Sequence, residues 1–246
     1  MDSSYGDQIA DRYDEQHRFL GSAEPTVQLL AELAAPGNRA LELGVGTGRV
    51  ALPLAGRGIA VTGIDCSQKM LERLAAKPGG DKVRAVLGDM GEVAVDGEFD
   101  LIYVVFNTFF ALLTQEAQIA CLERCAARLA PGGKLLLEVF VPDLTRFQQN
   151  QRWFARRLDG DGVFAEASWH DPITQRVDAN QIFFAQDQHV HIVPIKLRYA
   201  NVPELDLMAR VAGLALHARW AGWNKQPFGS GAGMHVSVYA RRAALP

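Results

Sequence analysis

The sequence predicts an α/β fold, a doubly wound and mostly parallel sheet finished by an antiparallel final strand. Three observations carry the prediction. Apolar runs of four to seven residues alternate with amphipathic segments between residues 25 and 142, as parallel strands alternate with crossover helices. A glycine-rich turn, Gly44-Val45-Gly46-Thr47-Gly48, follows the first run. Residues 153–200 hold β-type stretches with no helices between them, which reads as an antiparallel insert after the fifth sheet strand.

Each element has a local reason. Residues 1–24 are polar with two tyrosines, Tyr5 and Tyr13, and read as a short helix and a loop. Pro25 to Leu33 is a helix, and Ala40 to Leu43 the first strand. Arg49 to Ala55 continues as a helix that Pro53 bends or shortens. The second strand, Ile59 to Ile64, ends in Asp65, and Ser67 can cap a helix reaching about Ala76. The third, Val83 to Leu87, runs into Gly88-Asp89-Met90. The fourth, Phe99 to Val105, leads into Phe106-Asn107-Thr108-Phe109-Phe110.

Thr114 to Leu129 places Ile119, Leu122, Ala126 and Leu129 on one helical face, with Pro131-Gly132-Gly133 as the stop. Lys134 to Val141 is apolar almost throughout, as a central parallel strand should be. The insert is predicted as three strands: Val163 to Trp169, Arg176 to Ala185 and His189 to Tyr199. Their turns fall at Asp171-Pro172 and Asp187-Gln188. Glu204 to Ala212 is a helix closed by Gly213, and Leu214 to Trp220 pairs with His235 to Tyr239. The expected organisation is one domain over 1–246, with an N-terminal lid at 1–24 and the insert at 153–200.

The turn excludes some ligands. A dinucleotide fingerprint spaces its glycines G-x-G-x-x-G/A, and that register puts Arg49 where the third small residue belongs. A phosphate loop needs Gly-Lys-Ser/Thr, which is absent. A phosphate-free nucleoside with an amino-acid tail, S-adenosylmethionine, fits the spacing. Asp65 at the second strand tip can accept from both ribose hydroxyls, and Asp89 at the third from an adenine amino group. Met90 offers a backbone N–H and an apolar wall.

In Glu42-Leu43-Gly44-Val45-Gly46-Thr47-Gly48, Asp65, Gly88-Asp89-Met90 and Leu129-Ala130-Pro131-Gly132-Gly133-Lys134, the chain resembles the class I S-adenosylmethionine-dependent methyltransferases, whose fold is Rossmann-like. The resemblance implies that Glu42, Gly44, Gly46 and Gly48 face the methionine part of the cofactor. It implies that Asp65 holds the ribose, with Cys66 and Met70 beside the adenosine. Asp89 and Met90 would then hold the adenine, and Phe106 would close over the sulfonium. Size, acidity and a single insert are similar to enzymes methylating amino-sugars or other natural-product intermediates. Those enzymes can carry a histidine base after the fourth strand, where Phe110-Ala111-Leu112 has none.

Composition narrows the acceptor. With 25 Lys and Arg against 28 Asp and Glu the chain carries a net charge of −3, and its densest basic patch, Arg152 to Arg157, holds three arginines. No nucleic-acid partner is expected. No stretch approaches the roughly 18 apolar residues of a membrane span. The start, Met1 to Ala10, lacks a secretory signal, and three cysteines make no disulfide framework, so a cytoplasmic location is expected. Asn107 and Glu138 are the loose candidates for metal ligation, and no metal is expected.

The remaining acceptor-side residues are aromatic and imidazole groups. Tyr13 and His17 lie in the lid, Phe109 follows the fourth strand, and Trp169, His170 and Tyr199 belong to the insert. Tyr13 is the expected acceptor-side catalytic group and His170 the expected base. The expected activity is methylation of a small-molecule acceptor, nitrogen ahead of oxygen because no acid–base pair stands out. An NAD-linked oxidoreductase and a non-enzymatic cofactor-binding module are the alternatives. The insert is also a candidate surface for a homodimer.

Overall fold

The computed structural model describes residues 4–16, 22–35, 37–158, 162–185 and 190–242. Two short helices, α1 (Ser4–Ile9) and α2 (Tyr13–Gln16), precede α3 (Glu24–Ala34). Then β1 (Arg39–Leu43), α4 (Ala51–Ala55), β2 (Ala60–Asp65), α5 (Gln68–Ala76), β3 (Val83–Leu87) and β4 (Phe99–Val104) follow. Next come α6 (Gln115–Arg128) and β5 (Leu129–Phe140). The insert holds β6 (Gln151–Leu158), β7 (Gly162–Asp171), β8 (Arg176–Ala185) and β9 (Val190–Arg198). The chain closes with α7 (Val202–Val211), β10 (Leu214–Trp220) and β11 (Met234–Arg241).

The main sheet has seven strands in the order β10-β11-β5-β4-β1-β2-β3. β1 to β5 pair in parallel, β11 runs against β5, and β10 runs against β11. The chain leaves β1 toward β2 and β3, then returns to β4 on the other side of β1. The loops after β1 and β4 therefore diverge and open a crevice at the carboxyl edge, where open α/β sheets bind ligands.

Strand alternation sends successive residues to opposite faces. Leu41, Leu43, Ile102, Val104, Leu135 and Leu137 meet α6 and α7 on one face. Ala40, Val61, Leu101, Tyr103, Leu136 and Val236 meet α3 and α4 on the other. Ser67 caps α5 by accepting from Met70 N–H at 3.2 Å, and Thr114 caps α6 through Ala117 N–H at 3.1 Å.

Three predicted elements need correction. The insert is a separate four-stranded antiparallel sheet, β6-β7-β8-β9, rather than three strands. β6 escaped notice because arginines break the apolar alternation of Arg152-Trp153-Phe154-Ala155-Arg156-Arg157; its pairing with β7, from Gln151↔Trp169 to Leu158↔Gly162, makes it a strand. β5 starts at Leu129, because Leu129 already pairs with Phe99 before a register shift, so the Pro131-Gly132-Gly133 turn residues lie within its span. The N-terminal segment forms two helices instead of one. The predicted Asp187-Gln188 turn lies outside the described residues.

Candidate active site

The glycine turn after β1 is left-handed three times, with φ of 78° at Gly44, 52° at Gly46 and 78° at Gly48. Glycine is needed there for backbone reasons alone. A Cβ on Gly44 would lie 2.5 Å from Thr108 Cγ2, and one on Gly48 would lie 3.0 Å from Leu52 and Leu74. A Cβ on Gly46 would meet nothing within 4 Å. The outer glycines are thus packed, and the central one faces open space in which a ligand can lie against the backbone.

Asp65, at the tip of β2, ties this turn down. Its Oδ2 accepts from Gly46 N–H at 2.8 Å and its Oδ1 from Ser67 N–H at 2.9 Å. Burial raises its pKa, against the pull of those N–H groups. Each carboxylate oxygen has a second lone pair for a ligand hydroxyl. Behind the turn, Glu42 is buried and its Oε2 accepts from the Tyr103 hydroxyl at 3.0 Å. Burial pushes Glu42 up to about 8.

The N-terminal helices lie over this edge. Ser67 Oγ donates to Asp7 Oδ1 at 2.6 Å, Thr47 Oγ1 donates to Asp14 Oδ1 at 2.8 Å, and Lys77 pairs with Asp14 at 2.7 Å. Lys77 also donates to the Thr47 carbonyl at 2.8 Å, and Arg73 pairs with Asp11. A Cβ on Gly6 would lie 2.6 Å from Ser67 Cβ, so α1 seats directly on the start of α5. Tyr5 and Tyr13 pack around a small cluster of Ile9, Ala10, Met70 and Val193, which joins the N-terminal helices to β9. Burial pushes the Tyr13 hydroxyl up to about 12, within the fields of Arg49, Glu42, Asp14 and Asp65.

At the far side of the crevice, Phe106 and Asn107 are both left-handed, with φ of 56° and 62°. The Arg49 guanidinium stands 5.1 Å from the Phe106 ring centroid. Asp89 Oδ1 accepts from Gly91 N–H at 2.8 Å, and Met90 is buried. Cys66 is half-buried, and burial pushes its thiol up to about 11, which keeps it neutral.

The structure gathers Tyr13, Glu42, the three glycines, Asp65, Cys66, Met70, Asp89 and Phe106 along one edge, but separates the other acceptor-side candidates. His170 is buried at the root of β7, with Nε2 2.8 Å from the Tyr199 hydroxyl and its ring 4.8 Å from Phe147. The N-terminal helices meet the insert at Val193 and Phe183, whose positions across β8 fall at Glu166 and Phe164, four and six residues before His170 on β7. Four to six residues of strand span roughly 13–20 Å. Trp169, next to His170, must face the opposite side, and it stands 51% exposed there. Phe109 and Tyr199 are core residues, and His17 lies outside the described residues.

Sequence reading passed over Asp7, Asp14 and Lys77 as parts of this edge, and named Asn107 and Glu138 only as loose candidates for metal ligation. One signal was available: a glutamate inside the apolar run Leu135 to Phe140, where a charge is rare without a task.

The turn, the acid at the tip of β2 and the crevice at the β1/β4 switch fit a phosphate-free nucleoside, and the comparisons agree. Residues 40–133 match the family described as "Methyltransferase domain". The cypemycin N-terminal methyltransferase of Streptomyces sp. is 30% identical over 194 residues, 78% of each chain. The chain belongs to the class I S-adenosylmethionine-dependent methyltransferases, and S-adenosylmethionine is its cofactor. The CcbJ methyltransferase from Streptomyces caelestis is similar throughout: 38% identity, TM-score 0.92, covering 98% of this chain and 99% of that one. CalS10, an amino pentose methyltransferase from Micromonospora echinaspora, shares the fold at 24% identity and TM-score 0.67, over 92% of this chain and 95% of its own. Among the described residues no helix is long and apolar enough to cross a membrane.

Proposed function

We propose that the chain methylates an amine nitrogen of a small-molecule acceptor. Bound S-adenosylmethionine supplies a methyl group activated by a positively charged sulfur that leaves as a neutral thioether. In this reading the backbone of Gly44, Gly46 and Gly48, with Glu42, faces the cofactor's methionine part. Asp65 takes the ribose, Cys66 and Met70 flank the adenosine, Asp89 and Met90 take the adenine, and Phe106 walls the reacting end.

The observation that carries the reading is the environment of Tyr13. Its hydroxyl stays protonated within the fields of Arg49, Glu42 and Asp65, and it precedes an Asp14 that is bonded to Thr47 and Lys77. A neutral hydroxyl there can orient an amine lone pair toward the methyl group, and the tyrosine rings above the crevice keep water out. An amine arriving in its neutral form needs alignment more than a strong base. The histidine expected as base is committed to Tyr199 instead. The relative named for N-terminal methylation supports nitrogen as the acceptor atom.

The test is turnover. The protein is incubated with S-adenosylmethionine and matched panels of small amines and alcohols, S-adenosylhomocysteine is quantified, and the new methyl is located by fragmentation. Turnover on amines with the methyl on nitrogen supports the reading; turnover confined to alcohols replaces it with O-methylation. Pairing of two copies through the insert is part of the proposal. Its support is the outer face of β6 to β9, where Trp153 and Trp169 lie 63% and 51% exposed on the same side. Sedimentation velocity of wild type and Trp169→Glu checks it; a monomeric wild type would end it.

A further inference from the structure

Glu138 lies two residues before the end of β5, a carboxylate in an otherwise apolar run. Its Oε2 accepts from Phe106 N–H at the exit of β4. Its carbonyl accepts from Asn107 N–H at 3.3 Å, and Asn107 Oδ1 accepts from Phe140 N–H at 2.6 Å. Three hydrogen bonds thus staple the β4 exit to the end of β5. The stapled residues are the two left-handed ones, Phe106 and Asn107. Asparagine tolerates that backbone, whereas for a bulky phenylalanine it is an outlier that the surroundings must enforce.

We propose that Glu138 is a positioning residue for methyl transfer, its carboxylate holding the Phe106–Asn107 turn left-handed and so fixing the Phe106 ring at the crevice. The inference rests on the role given to Phe106 above. Among the described residues Glu138 has no charged partner to share the task. On β11 the residues sharing its face are Met234, Val236 and Val238. On β4 the titratable neighbour on that face is Tyr103, committed to Glu42. The turn itself adds Asn107 and, across the Phe106 ring, Arg49. Burial pushes Glu138 up to about 7, against the pull of the Phe106 N–H. The grip therefore strengthens as pH rises through neutrality, because an ionised acceptor makes the stronger bond.

The experiment compares wild type, Glu138→Gln and Glu138→Leu. Glutamine still accepts from Phe106 N–H but does not ionise; leucine does neither. Hydrogen exchange of the 104–108 segment, corrected for intrinsic rate, should show protection rising with pH from 6 to 8 in wild type. At the Phe106 amide that protection should be independent of pH in Glu138→Gln and lost in Glu138→Leu, while the Asn107 amide keeps its bond to the carbonyl of residue 138. The turnover number should stay within roughly fivefold in Glu138→Gln, with the limb near pH 7 flattened, and fall about 10- to 100-fold in Glu138→Leu with a smaller change in KM. Equal exchange at 104–108 in all three proteins, or an unaltered limb in Glu138→Gln, would overturn the proposal. If Glu138→Leu does not fold, wild type against Glu138→Gln decides alone. Exchange needs no acceptor, so it judges Glu138 even where the choice of nitrogen fails.

Discussion

The Tyr103 hydroxyl donates to Glu42 Oε2 at 3.0 Å beneath the glycine turn, with both residues shut away from water. The two stand opposite each other in the β1/β4 pair. The neutral Tyr103 hydroxyl and Ala51 N–H do not replace the hydration a carboxylate loses, so burial keeps Glu42 protonated up to about 8.

That sets a pH dependence with a definite sign. The folded pKa lies above the 4.5 of an ordinary glutamate, so the folded state binds the extra proton between those values. The stability Glu42 contributes is complete below pH 4.5 and is lost as pH rises to about 8, a change on the order of 5 kcal/mol. Glu42→Gln lacks this loss. Thermal unfolding at pH 5.5 and 8.5 should show the variant gaining on wild type by several degrees at the higher pH. A constant difference across the two pH values would contradict the sign.

Asp65→Ala should weaken S-adenosylhomocysteine binding by one to two orders of magnitude. The ribose contact alone is worth roughly 1.5–3 kcal/mol. The variant also frees the Gly46 and Ser67 N–H groups that Asp65 holds. Calorimetry reporting wild-type affinity in a folded variant would refute the assignment.

Gly6→Ala should lift the lid without unfolding the body. The added methyl carbon would lie 2.6 Å from Ser67 Cβ, at the helix start that Asp7 also grips. Overpacking of this kind costs about 1–3 kcal/mol, which is roughly a tenfold loss of cofactor affinity where it falls on a lid. Affinity measured beside the unfolding temperature separates the two effects: affinity drops and the melt stays put. A shifted melt with unchanged affinity would show that α1 does not cover the cofactor.

Tyr13→Phe and His170→Ala should fail in different ways. Removing the Tyr13 hydroxyl should lower the turnover number by about tenfold or more, with stability nearly unchanged. Removing the His170 ring should cost roughly 2–4 kcal/mol of stability and leave the turnover number of the folded enzyme intact, since it empties a buried site against Phe147 and strips the Tyr199 hydroxyl of its partner. Steady-state kinetics and denaturant unfolding on both variants settle the pair; a catalytic defect in His170→Ala would restore it as a base.

The cofactor edge was legible because its signals are local. Three alternate glycines announce a left-handed turn, and an acid at the end of an apolar run announces a strand tip at the carboxyl edge. The contacts that close over and brace that edge were not, because they are assembled across long separations. Asp7 meets Ser67 sixty residues away, and Glu138 reaches back to Phe106. His170 and Trp169 are chain neighbours, yet alternation on β7 sends them to opposite faces.

By itself, the sequence determined the parallel sheet, the glycine turn and the acids at the tips of β2 and β3, since hydrophobic period and glycine placement act over a few residues. Tertiary structure decided which titratable groups meet. It folded the N-terminal helices onto α5, committed His170 to Tyr199 and set Glu138 beneath a left-handed phenylalanine. Those outcomes depend on strand register and on burial, and neither is defined until distant segments pack.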